Sequence, residues 1–273
     1  MNLHDFLDHD YPVDGDSILR DRLSDEDVDI NAARGALEET PLHVAARRRR
    51  LGACQLLLKH GAKVNATNAC GKTAYAHAVR RGFLEIADCL REHDADPSLA
   101  PADAFAVAVC AGLLDEARSM LAAQPTLART GNPEEDRLLA DMAGRGNTDV
   151  VAFLIEAGAD LSAPGLDGGT SLHQAAWFGQ PANARMLIDA GAPLDVFDPT
   201  HEASPIHWTA HGSRYSGDAD KRQADYVEIA QLLLAAGCSL CYPEDPDGRD
   251  YIDRMLRDAS PAVGEIIREA SGM

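Results

Sequence analysis

The chain has 273 residues, about the upper limit for one globular core, so its length predicts either two domains or an array of repeats. Hydrophobic residues make up 45% of it, enough to bury a core, and intrinsic disorder is not expected. The 44 acidic and 25 basic side chains give a formal charge of -19, which argues against nucleic acid as a partner and favours a basic protein.

Two further features of the composition concern the compartment. Residues 1–10 read MNLHDFLDHD and lack the basic flank and apolar run of a signal peptide, and no apolar stretch of about 18 residues predicts a membrane span. The six cysteines are thinly spread, and several have apolar helical surroundings that suit free thiols in a reducing compartment. We therefore expect a cytoplasmic protein that does not enter the membrane.

A helix-start motif recurs along the chain every 30 to 34 residues. Its copies, in chain order, are TPLHVAA from Thr40, TAYAHAV from Thr73, the degraded DAFAVAV from Asp103 and RLLADMA from Arg137, TSLHQAA from Thr170, and SPIHWTA from Ser204. Thr or Ser supplies an oxygen that caps the helix, and Pro41 and Pro205 suit its first turn, where a missing N–H costs nothing.

A second motif closes the downstream helix of several copies with glycine. Residues 56–62, 153–159, 186–192 and 232–238 each end in Gly-Ala or Gly-Cys after an apolar run. Glycine is the residue that a left-handed helix cap requires. The two motifs together predict pairs of helices repeated along the chain.

This pattern, a period near 33 with the motif T-P-L-H-x-A, resembles the ankyrin repeat family over nearly the whole chain. The resemblance implies an all-α solenoid of helix-turn-helix repeats joined by β-hairpin-like finger turns. It also implies that His43, His173 and His207 tie neighbouring turns together through hydrogen bonds.

The repeat register predicts a division into six repeats and two caps. An N-terminal cap, 1–34, holds an acidic helix over Asp16–Leu23 and a loop over Asp27–Asn31, and a C-terminal capping repeat, 244–273, holds a polar turn at Gly248–Asp253 and a closing helix over Pro261–Ala270. The repeats between them are 35–68, 69–99, 100–131, 132–166, 167–199 and 200–243. Capped ends favour a monomer.

The sixth repeat contains an insertion near 212–225, which reads GSRYSGDADKRQAD. It separates the two helices of one repeat and is polar and rich in turn residues, so we expect a loop that projects from an end of the stack. The sequence leaves open whether this insertion is a binding element or an inert loop.

The ankyrin resemblance implies that a partner contacts the concave groove lined by the finger turns and the exposed face of each first helix. The implied positions are Arg47, Arg48, His77, Arg80 and Arg81 in the N-terminal half, and Gln174, Trp177, Phe178, Trp208 and His211 in the C-terminal half, with Tyr215 from the insertion beside them. Trp and Arg are common in binding hot spots. The alternative is that the tryptophans only pack between helices and that the arginine run is a solvated helix end.

Metal binding and catalysis are not expected. His207 and His211 have the i, i+4 spacing of two ligands on one helix face, and Cys238 and Cys241 carry two thiols, but the register does not bring the four together. Neither a hydrolase or phosphate-binding motif nor a preorganised carboxylate pair occurs. No cofactor and no catalytic residue is predicted.

Three functions follow as hypotheses. The first is a protein-protein interaction module that acts as an inhibitor, an adaptor or an immunity-type regulator. The second is a small-molecule sensor whose pocket combines Trp177, Phe178, Trp208 and His211 under the insertion. The third is a structural spacer. The sequence names neither the partner nor the pathway.

Overall fold

The computed structural model describes residues 2–8, 15–25, 28–243 and 249–273, and the chain divides into two compact units, 1–117 and 118–273. The described residues are mainly helical and hold no strand, only the isolated bridges Arg34 to Glu39 and Thr67 to Thr73. Among these helices, none is long and apolar enough to cross a membrane. The predicted all-α ankyrin fold is confirmed.

Unit 1 stacks short helices in two rows. Its helices are α1 (Leu3–Asp8), α2 (Gly15–Leu23), α3 (Pro41–Arg47), α4 (Leu51–Lys59), α5 (Ala74–Arg80), α6 (Leu84–Arg91) and α7 (Pro101–Cys110), and the unit boundary falls within α8 (Leu114–Ala123). Helices α1, α3, α5 and α7 pack side by side, and α2, α4 and α6 form the second row. Each of α3 and α5 also packs on the helix that follows it, so the pair is the repeating element.

Unit 2 is built in the same way. After a 3-10 turn at Pro125–Ala128, its helices are α9 (Pro133–Asp136), α10 (Leu138–Ala143), α11 (Thr148–Glu156), α12 (Ser171–Trp177), α13 (Pro181–Asp189), α14 (Pro205–Tyr215), α15 (Gln223–Ala235), α16 (Arg249–Asp258) and α17 (Pro261–Ser271). Helices α10, α12, α14 and α16 form the first-helix row, and α11, α13, α15 and α17 form the second-helix row. These pairs fall inside the predicted repeats, whose boundaries stay predictions.

The starts of α3, α5 and α12 are fixed by their motif residues. At α3, the Thr40 N–H donates to Nδ1 of His43 over 3.1 Å, which leaves Nε2–H of His43 to donate to the Lys72 carbonyl over 2.9 Å. His173 repeats the arrangement with Thr170 and the Ala203 carbonyl. In α5, Thr73 caps through its own hydroxyl, which accepts from the Ala76 N–H. The motif histidine thus joins a helix start to the next turn along the chain.

The second helices end where the glycine motif predicts. Gly191 has φ of 86° after α13, in the left-handed region where a side chain is strained. Its neighbour closes the helix, since the Ala192 N–H donates to the Leu187 carbonyl over 2.9 Å. The glycines after α4, α11 and α15 also have positive φ: Gly61, Gly158 and Gly237.

The core lies between the helix pairs. In unit 1, Leu42 of α3, Leu57 of α4 and Leu90 of α6 are almost fully buried in one cluster. In unit 2, Leu172 and Leu187 are buried in the same way. Truncating such a leucine to alanine typically costs about 2–5 kcal/mol, so each of these buried side chains contributes substantially to the stability.

The prediction that the insertion projects as a loop is wrong. Helix α14 continues to Tyr215, a 3-10 turn covers Ala219–Lys221, and α15 begins at Gln223. The side-chain amide of Gln223 donates to the carbonyls of Ser213 (2.7 Å) and Ala219 (2.9 Å), which folds the segment back on itself. Polar composition predicted a turn, but these local hydrogen bonds make most of the segment helical.

The two chain ends differ from the sequence prediction in detail. Helix α2 and helix α17 occur where helices were predicted, whereas the predicted turn at Gly248–Asp253 is helical from Arg249 onward, and α1 was not predicted. Gly248, and Asp27 of the predicted N-terminal loop, lie outside the described residues. The side chain of Asp16 also lies outside them.

Candidate protein-interaction surface

Four aromatic side chains form a continuous stack along α12 and α14 of unit 2. The Trp177 and Trp208 ring centroids are 6.0 Å apart with an edge-to-face geometry, and Trp177 stacks on His211 at 5.3 Å. His211 in turn lies 4.5 Å from Tyr215. These separations suit favourable aromatic pairing. We call Trp177, Trp208, His211 and Tyr215 the aromatic surface.

One end of the aromatic surface is fixed by Asp198. The Nε1–H of Trp208 donates to the Asp198 carboxylate over 2.9 Å, and the same carboxylate accepts the backbone N–H groups of Thr200 and His201. Burial alone would raise the pKa of Asp198, but these hydrogen bonds outweigh it and hold the pKa below its usual value. The charge of Asp198 therefore anchors both the indole and the turn that follows it.

The other end is fixed by Asp258 of α16. Arg254 donates to Nδ1 of His207 over 3.3 Å, so Nε2–H of His207 donates to Asp258 over 3.1 Å. Nδ1 of His211 lies 3.4 Å from the same carboxylate oxygen. Burial lowers the pKa of His207 to about 4, which leaves this imidazole neutral near pH 7. Asp258 thus holds His211 beside Trp177 and Tyr215.

His207 departs from the other motif histidines because Arg254 occupies its Nδ1. The Ser204 N–H, which the histidine would otherwise accept, donates instead to the Tyr251 hydroxyl over 2.8 Å. At α14 the C-terminal helix pair therefore supplies two partners through side chains: Asp258 replaces the turn carbonyl that accepts Nε2–H elsewhere, and the Tyr251 hydroxyl replaces Nδ1 as the acceptor of the helix-start N–H.

Close backbone approach brings Trp177 and His211 together. A Cβ placed on Gly212 would lie only 2.6 Å from the Trp177 carbonyl oxygen, so α14 can contact the end of α12 only through a glycine. The Tyr226 hydroxyl donates to the same carbonyl over 2.8 Å. Neither Gly212 nor Tyr226 stands out in the sequence as a site residue, because their role depends on contacts between distant segments.

The aromatic surface is partly open. Tyr215 is 53% exposed, the His211 side chain is 42% exposed, Trp177 is half-buried and Trp208 is only 8% exposed. Phe178 is 44% exposed and lies beside the stack in sequence, but its ring packs over Gly144. Gln174 is buried near Gly165. Of the predicted C-terminal binding residues, the structure therefore joins four, and their contact with a partner stays a prediction.

The predicted arginine half lies in unit 1 and is engaged in internal ion pairs. Arg47 binds Asp8 and Glu39, each at 2.9 Å, and Arg80 lies 3.2 Å from Asp103, which also binds Lys72.

Most of these basic side chains are also covered. Arg48 is partly exposed and pairs with Asp8, whereas Arg80 and Arg81 are 6% exposed and His77 is buried. Arg81 donates to the Arg47 carbonyl over 2.9 Å. The expectation of an open arginine surface is wrong for these buried residues, because their charges are used inside the fold. Whether the arginines bind a partner stays a prediction.

Two of the four groups considered for metal binding, His207 and Cys238, have other roles in the structure. Both ring nitrogens of His207 are hydrogen-bonded, and burial raises the pKa of the Cys238 thiol to about 12, so this sulfur stays protonated. These side chains serve packing and hydrogen bonding here.

Comparison with protein families agrees with this architecture. A model described as Ankyrin repeats (3 copies) matches residues 14–100, and one described as Ankyrin repeats (many copies) matches residues 139–188. The chain belongs to the ankyrin repeat family. Ankyrin repeat domains generally bind protein partners, and the fold is typically a non-enzymatic binding scaffold.

Curated relatives match only in part. The chain is similar to Probable E3 ubiquitin-protein ligase XBOS33 of Oryza sativa subsp. japonica, with 47% identity over 51 residues that cover 19% of this chain and 10% of the rice protein. It is also similar to Protein PhlB of Serratia liquefaciens, with 30% identity over 115 residues that cover 37% of this chain and 51% of that protein. The chain therefore spans at most about half the length of these relatives.

Two solved structures are similar to the chain. The human ASB11 ankyrin repeat domain aligns with a TM-score of 0.38 and 18% identity over 99% of this chain and 97% of that domain. The ankyrin repeat domain of Bcl-3 aligns with a TM-score of 0.34 and 20% identity over 76% of this chain and 92% of that domain. Neither likeness carries information about function.

Proposed function

We propose that unit 2 holds a partner protein on the aromatic surface. The observation that supports this most is a stack of rings fixed by the buried Asp198 and the partly exposed Asp258, and yet partly exposed at His211 and Tyr215. Rings that are already held in place lose little conformational freedom on binding, and Trp and Tyr are enriched in binding hot spots. The surface is therefore suited to a protein contact.

The proposed role is that of an inhibitor, an adaptor or an immunity-type regulator, which covers part of its target by binding it. No catalytic role is proposed, because the polar groups around the stack are used to position rings. His207 is the clearest case, since its two nitrogens bind Arg254 and Asp258.

We also propose that the protein works in the cytoplasm. All six cysteines are free thiols, and burial raises the pKa of Cys54 to about 12, so that this thiol is unreactive. Free buried thiols suit a reducing compartment. Fractionation of cells that produce the protein tests this proposal, and recovery outside the cytoplasm would overturn it.

Affinity capture with matched variants tests the binding function. We would capture partners from native-host lysate with the wild type and with His211→Ala combined with Tyr215→Ala, and quantify the proteins by mass spectrometry. The matched control is Leu84→Ala combined with Leu113→Ala, which truncates two side chains of unit 1 that are 66% and 52% exposed.

We expect a protein that the wild type and the leucine control recover equally and that the aromatic variant loses by at least about tenfold, since one hot-spot truncation alone weakens binding by about 30-fold. Unchanged thermal unfolding would show that the aromatic variant is folded. The proposal would be refuted if all three chains recovered the partner equally, or if none of them recovered a specific protein.

A further inference from the structure

We infer that the aromatic surface selects a basic segment of its partner, one that carries lysine or arginine. The inference rests on the proposed function and adds the chemistry of the partner. It is drawn from the acidic side chains that border the surface, from the scarcity of cations around it, and from the way the protein already pairs its own guanidinium groups with rings.

Acidic residues lie in both turns that contact Trp208. One turn closes with the Gly165 N–H on the Gly169 carbonyl, at 2.8 Å, and carries Asp167 at its exposed part. Gly169 packs directly on the Trp208 ring, since a Cβ there would lie 2.8 Å from it.

The second turn runs from Asp198 to Ala203. It holds the Trp208 indole through Asp198 and exposes Glu202. At the far end of the stack, the partly exposed Asp258 lies against His211. Carboxylates therefore border the aromatic surface at both ends.

The surrounding sequence is depleted of cations. Residues 146–213 hold eight Asp and Glu and a single Arg, Arg185, which lies on α13 in the second-helix row and pairs with Glu228. Fields of one sign attract ligands of the other sign and repel like-charged ones. An acidic segment or a nucleic acid would meet repulsion here.

Three arginines border the surface, and all are already engaged: Arg222 donates to the Phe178 carbonyl over 2.7 Å and pairs with Asp225, and the other two are Arg254 and Arg214. Arg254 donates to the carbonyls of His201 and Glu202 and lies 5.2 Å from the Tyr251 ring centroid. Arg214 donates to the Arg257 carbonyl and lies 5.4 Å from the Tyr215 ring centroid. The protein thus places its own guanidinium groups over rings in this region. A partner cation beside Trp177 would make the same kind of contact, worth about 2- to 30-fold in affinity.

The test uses the full chain and a defined probe. Both tryptophans of the chain belong to the aromatic surface, so tryptophan emission reports on this site alone. We would titrate the protein with deca-arginine, and with deca-glutamate as the opposite charge, at about 0.15 M salt, where distant charges are screened.

Two variants of equal net charge distinguish binding at the aromatic surface from attraction to the negative charge of the whole protein. The site variant is Asp167→Asn with Glu202→Gln, and the control is Asp189→Asn with Glu269→Gln, two exposed acids of the second-helix row. Glu202→Gln alone serves if the double variant unfolds at a lower temperature than the wild type.

We expect deca-arginine to change the emission, the site variant to bind it at least about fivefold more weakly, and the control to stay within about twofold of the wild type. Deca-glutamate should have no effect. An unchanged emission with deca-arginine, or an equal loss of affinity in both variants, would overturn the inference.

A repeat of the lysate capture with the aromatic, site and control variants distinguishes failure of this inference from failure of the proposed function. If the aromatic variant loses a partner that the site variant retains fully, the proposed function stands and the basic segment is refuted. If both variants lose the partner while the control retains it, both proposals are supported. If the aromatic variant retains it, the proposed function itself fails.

Discussion

Single carboxylates decide where the rings of unit 2 lie. Asp198 accepts the Trp208 indole N–H and three backbone N–H groups, and Asp258 accepts from His207 beside His211. Buried donors that lose their acceptor pay their full desolvation cost, about 1–3 kcal/mol each. Replacing one of these carboxylates should therefore alter the positions of the rings in the aromatic surface, although no ring is itself substituted.

Replacing Asp198 tests this dependence. Asp198→Ala leaves the indole N–H and the turn without their acceptor, so we expect a loss of about 2–4 kcal/mol in the free energy of unfolding and a shift of tryptophan emission to longer wavelength. Urea unfolding monitored by fluorescence measures both. Asp189→Ala, on the exposed end of α13, is the control and should be close to neutral. Equal behaviour of the two variants would contradict the anchoring role.

Two buried histidines make stability depend on pH. Burial lowers the pKa of His173 and of His207 from 6.5 to about 4. Between these values the unfolded chain binds protons that the folded chain does not, so stability is complete above pH 6.5 and falls as the pH drops toward 4. The slope is up to about 1.4 kcal/mol per pH unit for each histidine.

The measurement is urea unfolding at a series of pH values from 7 to 4.5. His173→Gln should reduce the pH dependence of the free energy of unfolding by the contribution of one histidine. It should also lower the stability at pH 7, because the hydrogen bond to the Ala203 carbonyl is lost. The pKa values of Asp198 and Asp258 are lowered, so these carboxylates affect the stability mainly at pH values below this range. A slope that the substitution leaves unchanged would refute the assignment.

At the scale of elements, the contact between α12 and α14 determines whether the aromatic surface exists. The Gly212 backbone lies against the Trp177 carbonyl, and any side chain there would force the helices apart. Overpacking of this kind commonly costs about 1–3 kcal/mol.

Gly212→Ala should lower the melting temperature and weaken the near-ultraviolet circular dichroism that fixed tryptophans produce. Gly217→Ala is the matched control, because a Cβ at that position meets no atom within 4 Å. The close approach would be unimportant if both variants melted together and kept the wild-type spectrum.

Helix starts and ends that are set by a short capping motif could be predicted from the sequence. Helix α1 and the insertion, which carry no such motif, could not. The starts at Thr40 and Thr170 and the glycine ends follow from capping chemistry within a few residues. Helix α1 has six residues, too few for a clear periodicity, and the insertion was misjudged because the hydrogen bonds of Gln223 to the Ser213 and Ala219 carbonyls follow no recognised capping or turn motif.

Some residues of the candidate site could likewise be predicted from the sequence and others could not. Repeat register indicated Trp177, Trp208 and His211, while Asp198, Asp258 and Gly212 were missed because each acts through a residue far away in the sequence or on another helix. The arginines were expected to be open because register gives a helix face but not the neighbours that cover it. Arg80 shows this, since it lies against Asp103 of α7.

At the scale of the whole molecule, a long acidic chain uses its two units differently. Unit 1 pairs its arginines internally with Asp8, Glu39 and Asp103, whereas unit 2 leaves aromatic rings and carboxylates partly exposed. For a family that generally binds proteins, the second pattern is the one that we propose for contact with a partner.

Hydrogen exchange of the chain with and without its captured partner shows whether the partner covers the aromatic surface. We expect slower exchange of amides in α14 and in the turn over 198–203, with little change in α13 and α17 of the second-helix row. Protection confined to the second-helix row or to unit 1, with α14 unaffected, would contradict it.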